Sequence, residues 1–328
     1  MVSLEKHEHT VAIQRCRSYD PQEVYSAISR QFELLGGVDC FVKPRQRVLI
    51  KPNLIVPKPP EVPAQTHPEV IYAVARIVKE AGGFPVVGDS PAWSATAGCL
   101  KALGIDERLR KLDTEIVNLN RPVRMDIAGA SVGISRVAME ADAIINLPKL
   151  KAHQQLGASF AFKNMYGCIG GLAGKEKAYW HFARGGEVES FCRMIIGIYQ
   201  KLNPVLNIID GIVAMEGQGP INGQPREVGY LVAGTDPVAC ERVCCDLVGF
   251  DAGDLPLLVT AGKMGIALPT DEPINSVGDV FVKPACPDFK PAVQTPLRFT
   301  FPHICKSIAK QCVVLAKHFL RSGRMPKT

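Results

Sequence analysis

The sequence predicts an α/β fold: a mostly parallel sheet with helices on both faces, built as one body or as two lobes with a cleft between them. Strand-like apolar runs alternate with helix-like runs through most of the chain, the pattern of a parallel sheet covered by helices. The helical runs carry start and stop signals, proline in the first turn and glycine past the end. Polar residues gather where the strand-like runs stop, the place where such sheets hold ligands.

VAIQRC (11–16) reads as the first strand, and PQEVYSAISRQFELLGG after it as a helix closed by glycine. RVLIKPNL (47–54) is the next strand, and HPEVIYAVARIVKEAGG a helix with Pro68 near its first turn. FPVVGDSP is a short buried strand ending in a Gly-Asp-Ser-Pro turn. EIVNLN, the run VAME (137–140), ADAIINLPKL, LNIIDGIVAM and EVGYLVAGTDP supply further strands, and DPVACERVCCDLVGF a helix capped by Asp236 with Pro237 behind it. The boundaries expected are an N-terminal extension over 1–10, an α/β core over 11–283, and a basic, Pro-rich tail over 284–328.

With 328 residues, 47% of them hydrophobic and 21% charged, the composition suits an ordinary globular core and excludes a low-complexity chain. No stretch approaches eighteen uncharged apolar residues, so no membrane-spanning helix is expected. The start MVSLEKHEHTVAIQRC lacks an apolar core, so no secretory leader is expected either. The eleven cysteines lack disulfide spacing, and Cys99, Cys192, Cys240, Cys244 and Cys245 fall in apolar runs. They read as small buried hydrophobes in a reducing, cytoplasmic setting.

The net charge of +6 is unevenly spread. Residues 281–328 hold nine Lys/Arg and one acid, Asp288, leaving about −2 on the rest. In the tail Ile304, Ile308, Cys312, Leu315 and Phe319 share one helical face flanked by lysines. Residues 303–321 are therefore expected either to dock on a protein partner or an anionic membrane surface, or to pack on their own domain. The basic charge lies in the tail rather than on a folded face, which speaks against nucleic-acid binding.

The richest chemical stretch runs from Pro148 to His181. Lys149, Lys151 and Lys163 can hold a carboxylate or phosphate, Asn164 adds an amide, and Gly170 and Gly171 let backbone N–H groups approach an anion. His153 can shuttle protons near neutral pH. A second cluster sets Asp210 and Glu216 around a glycine-rich turn, suited to acid/base or metal work. A third sets Lys51, Asn53 and Asp89 beside Thr66 and His67, with Thr66 as helix N-cap and the helix N-terminus as an anion seat. Dinucleotide-binding, Walker-type and nucleophile-elbow motifs are absent. So is a C-x-x-C-x-x-C run, and an iron–sulfur cluster held by this chain is not expected. Cofactor identity stays unknown, with a metal left open.

KPNL, the THPEV helix start, GDSP, INLPKLKAH, FKNMYGCIGG, IDGIVAMEGQGP and GTDPVA together resemble domain-of-unknown-function family 362, in the family's order, over about residues 11–280. Many members of that family carry a ferredoxin-like iron–sulfur insert, and this chain has the basic tail instead. The stretch from Lys151 through Lys163 to His181 also resembles, more faintly, the active-site segment of nickel-pincer lactate racemases. That resemblance implies His153 as acid/base, Lys163 as the anchor of a pincer nucleotide and His181 as a metal ligand. This sequence departs from it at His67, where arginine is usual, and at Phe162, ahead of Lys163. The expectation is an enzyme that binds a small anionic substrate or a nucleotide-like cofactor and uses His153 and Lys163 for acid–base chemistry, with Asp210 or Glu216 orienting a partner group. The alternative is a non-catalytic accessory protein of anaerobic iron–sulfur and redox metabolism, peripheral to a membrane or a partner through its tail.

Overall fold

The computed structural model describes residues 9–92, 94–170, 175–266 and 273–296. The chain opens with β1 (Thr10–Arg15) and α1 (Pro21–Leu34), whose Asp20 side chain accepts the N–H groups of Gln22 and Glu23 at 3.0 Å. Then come β2 (Arg47–Pro52), α2 (Pro68–Glu80), β3 (Phe84–Asp89), α3 (Thr96–Ala102), α4 (Asp106–Lys111) and β4 (Glu115–Asn118). A hairpin, β5 (Pro122–Ile127) and β6 (Ala130–Ser135), leads to α5 (Arg136–Met139), β7 (Ala143–Leu147), β8 (Lys149–His153) and β9 (Gly157–Ser159). The rest are α6 (Ala161–Met165), α7 (Lys175–Arg184), α8 (Val188–Leu202), β10 (Leu206–Glu216), β11 (Gln224–Gly234), α9 (Pro237–Val248), α10 (Pro256–Lys263) and β12 (Asn275–Gly278).

Most of the strands form one mixed sheet in the order β12-β1-β11-β10-β7-β2-β3-β4, with β8 and β9 branching from β10, while β5 and β6 pair only with each other. The run from β10 through β7, β2 and β3 to β4 is parallel, and β11 is antiparallel to both its neighbours. A mostly parallel sheet must be covered on both faces, and the burial shows it. Leu49, Val86, Ile144 and Ile209 pack with α6, α8 and α9, while Val48, Ile50, Val87, Ile145 and Ile208 pack with α1, α2 and α3.

Two sequence expectations change here. Residues 137–140 are not a strand: Arg136–Met139 is the single turn α5, and a four-residue apolar run does not separate the two periods. The β5–β6 hairpin carries no strong sequence signal, because its turn uses Ala128 (φ 51°) and Gly129 (φ 70°) in place of the usual Asn-Gly or Asp-Gly. At the other end, the segment after residue 283 does not leave the fold at once. Cys286, Phe289 and Ala292 are buried in the core, and the Cys286 N–H donates to Leu247 O at 2.8 Å. The helix expected over 303–321 lies outside the described residues.

Candidate functional site

β7 and β8 are one extended run broken by Pro148. β7 lies between β2 and the start of β10, and beyond it β8 continues between β10 and the short antiparallel β9, with Lys149 opposite Asp210 and Lys151 opposite Met215. Because side chains alternate along a strand, Lys149, Lys151 and His153 share one face, while Leu150 and Ala152 between them join the apolar core. The same edge receives the end of β2, with Lys51 and Asn53, and the end of β3, with Asp89.

Two buried ion pairs frame this edge. Lys51 Nζ lies 2.8 Å from Asp89 Oδ1, both side chains almost wholly inaccessible, and it also donates to Pro52 O at 2.6 Å. Asp89 Oδ2 takes the Leu54 N–H at 2.7 Å. Lys149 Nζ donates to Asp210 Oδ2 at 2.8 Å and to the Tyr19 hydroxyl at 2.7 Å. That hydroxyl in turn donates to Asp210 Oδ1 at 2.8 Å. Such pairs are tolerated because every charge keeps a partner and the remaining lone pairs are filled.

An amide ladder ties the strands together. Asn164 Nδ2 donates to Lys51 O at 3.1 Å and to Asn146 Oδ1 at 2.8 Å, and its Oδ1 accepts from Asn53 Nδ2 at 3.0 Å. Lys151 Nζ donates to Asn53 Oδ1 and, at 2.8 Å, to Ala64 O. Gly167 is forced by this crowding: a Cβ there would lie 2.7 Å from Lys51 Nζ, and it would also strike Asp89 Oδ1.

Three further lysines make no ion pair with a carboxylate among the described residues: Lys151, Lys163 and Lys177. Lys163 on α6 sets its ammonium 4.5 Å from the centre of the Tyr166 ring. Lys177 on α7 donates to Ser90 O. Burial pushes Lys163 down to about 7, with Lys177 and Lys51 adding to the shift. Burial likewise lowers Lys177 to about 8, against the pull of Asp89 and helped by Lys51. Lys151 falls well below the lysine range through burial first, then Lys163 and Lys149. His153, buried and accepting the Gln155 N–H on Nδ1 at 3.1 Å, is held well below the usual imidazole range by burial, then Lys163, Lys151 and His181. His153 and Lys163, ten positions apart, thus belong to one electrostatic cluster.

Other expected site residues have different duties. Thr66 is not the helix cap. Its hydroxyl donates to Leu147 O at 2.6 Å and accepts the Asn53 N–H at 2.8 Å, while His67 is the N-cap and accepts the Glu69 N–H on Nδ1 at 3.3 Å. The anion seat at the start of α2 is filled from within, since Asp210 Oδ2 accepts the His67 N–H at 2.9 Å. The His67 ring stacks on Tyr19 with centroids 3.4 Å apart, and burial lowers it to about 4. Asp210 is therefore the hub of an internal network, with both oxygens occupied. Glu216 does not join it: its carboxylate accepts the Lys290 N–H at 3.0 Å and clasps the segment after β12 to the sheet. The Gly170 N–H is committed to Gly133 O at 2.9 Å, and Gly171 lies outside the described residues. His181 lies on α7. Its ring packs 4.7 Å from Phe191 and 5.8 Å from Tyr166, and among the described residues no group of three or more His, Cys, Asp or Glu is placed to hold a metal ion.

Tyr19 and Lys177 escaped the sequence reading. Tyr19 sits in a polar turn after β1, far in sequence from Asp210, and Lys177 opens a charged helix that reads as solvated. Two surface hollows, of about 270 Å³ and 770 Å³, are lined by residues around Asp142 and Lys201 and by residues around Tyr179 and Trp180; no lysine of the cluster lines either.

The sheet topology and this lysine-rich strand end define an α/β protein with a buried cationic site. Residues 48–246 match the model of the family described as a domain of unknown function (DUF362), and the chain belongs to that family. A thylakoid-associated protein of Synechocystis sp. is 36% identical over 310 residues, covering 92% of this chain and 94% of its own length. Among solved structures, the lactate racemase apoprotein from Thermoanaerobacterium thermosaccharolyticum is similar over 74% of this chain and 58% of its own, with a TM-score of 0.45 and 13% identity. A protein from Thermotoga maritima is similar over 68% of this chain and 58% of its own, with a TM-score of 0.43 and 16% identity. No helix among the described residues is long and apolar enough to cross a membrane.

Proposed function

We propose that the chain binds a small anionic ligand, a carboxylate or phosphate compound, at the edge formed by β2, β3 and β8, and that His153 and Lys163 exchange protons with it. One observation carries the reading: among the described residues the cluster holds more buried and half-buried cations than carboxylates. Lys51 and Lys149 are matched by Asp89 and Asp210, while Lys151, Lys163 and Lys177 are held by neutral acceptors or an aromatic face. Charge left uncompensated in a buried site is costly, and an anion from solution removes that cost. An amine brought down to about 7 exists in both protonation states near neutral pH, the condition for general acid–base work. His153, held as a neutral imidazole in the free protein, becomes able to take a proton once an anion offsets the neighbouring lysines.

The test is a thermal-shift series with inorganic phosphate, nucleotides and small carboxylates on the wild type, His153→Ala and Lys163→Ala. A ligand that stabilises the wild type and fails to stabilise either variant supports the reading. Unchanged stabilisation of both variants removes it.

The relative's description as thylakoid-associated and the net charge of +8 over residues 281–328 favour a second, compatible reading, attachment of the tail to an anionic membrane surface. Co-sedimentation with vesicles containing phosphatidylglycerol, lost on deletion of residues 297–328, is the expected result. Equal sedimentation of the truncated chain would exclude it.

A further inference from the structure

Within that reading the charge count specifies more than anion binding. The unmatched lysines come from three elements: Lys151 from β8, Lys163 from α6 and Lys177 from α7. Lys177 is tied to the rest through the Ser90 carbonyl it donates to, next to Asp89. The groups facing these ammonium ions are Lys51, Lys149, His153, Cys168, Cys192 and the aspartate Asp89, with His181 beyond His153. Asp89 already answers Lys51 at 2.8 Å and holds the Leu54 and Ser90 N–H groups, each at 2.7 Å. Little of its charge is left for the other three. A ligand with a single negative charge would match one ammonium and leave the other two, buried or half-buried, close to each other without a counter-charge.

We infer that the ligand presents two or more negative charges to this cluster, as a phosphate group or a dicarboxylate does, and that Lys177 on α7 is one of the residues that bind it. Lys177 is well placed for this, because its helix lies outside the sheet and brings a cation to the edge already lined by Lys51 and Lys163. The inference rests on the proposed anion site but is separable from it. A dianion draws protons onto the lysines that the free protein keeps partly neutral, so binding near pH 8 is accompanied by proton uptake.

The experiment is isothermal titration of the full chain with inorganic phosphate, pyrophosphate and malonate against acetate and chloride. Each is run at pH 8 in two buffers of different ionisation enthalpy, on the wild type, Lys177→Met and Lys177→Arg. The expected result is binding of one or more dianions at least about tenfold tighter than of the monoanions, with proton uptake. Lys177→Met should lose about tenfold or more of that affinity, and Lys177→Arg should retain most of it. Monoanions binding as tightly as dianions would overturn the inference while leaving the anion site standing. So would Lys177→Met binding as the wild type does. Absence of binding for every probe, with His153→Ala and Lys163→Ala equally silent, would defeat both readings. If Lys177→Met fails to fold, phosphate protection of Lys177 from amine acetylation, read by peptide mass spectrometry, decides: protection supports the inference and its absence overturns it.

Discussion

Lys51 and Lys163 belong to one buried cluster, yet they stand in opposite energetic positions. Lys51 reaches Asp89 at 2.8 Å inside a closed set of amides and carbonyls, and its charge is a structural part of the strand ends. Lys163 has an aromatic face and other cations for company. The contrast separates the charges matched within the fold, which fix the sheet's edge, from the unmatched ones, which on the proposed reading an anion from solution would answer.

Breaking the matched side has the largest expected effect. Asp89→Asn leaves Lys51 buried without a counter-charge and should cost about 3–5 kcal/mol, read by urea denaturation; a loss below about 1 kcal/mol would show that the pair is not structural. Gly167→Ala pushes a methyl group against Lys51 Nζ and Cε at 2.7 and 2.8 Å, with an expected loss of about 1–3 kcal/mol.

The unmatched side should respond in the other direction. The folded chain releases the Lys163 proton near pH 7, while the unfolded chain keeps it up to the usual lysine range. Between those limits the unfolded state binds more protons, so stability rises with pH. Lys163→Met removes this dependence. The free variant should be at least as stable as the wild type below pH 7, with a shallower rise above it, measured as denaturation midpoints against pH. Glu241, buried on α9 and accepting the Phe162 N–H at 2.8 Å, is raised by burial to about 8. Here the folded state keeps a proton that the unfolded state has lost, and its contribution declines as pH rises toward 8. Glu241→Gln should be near neutral below about pH 4.5 and increasingly stabilising as pH rises from there to about 8. The smallest effect belongs to an exposed pair: Arg76→Ala, losing the bond to Glu80, should change stability by less than about 0.5 kcal/mol.

Much of the frame was legible in the sequence. Apolar runs, prolines at helix starts and glycines at helix ends located β1, β2, β3, α1, α2 and α9 to within a residue or two, because those signals are local. The lysine-rich strand end was legible for the same reason, since Lys149, Lys151 and His153 repeat at a strand's period. What escaped depended on distant parts of the chain. Asp210 resembled a catalytic carboxylate, and only the arrival of Tyr19, Lys149 and the His67 N–H shows that it is saturated. Glu216 resembled its partner, yet Lys290 takes it. Thr66 has the chemistry of a cap, but the Asn53 N–H takes its hydroxyl oxygen instead.

The difference between matched and unmatched lysines can be read directly from the pH at which each amine reacts. Acetylation of the native protein, followed lysine by lysine by mass spectrometry, should show Lys163 reaching half its maximal rate near pH 7, well below the usual lysine range. Lys163 reaching half its maximal rate only in the usual lysine range would mean that its charge is compensated within the fold, and the cluster would have no unmet demand for an anion.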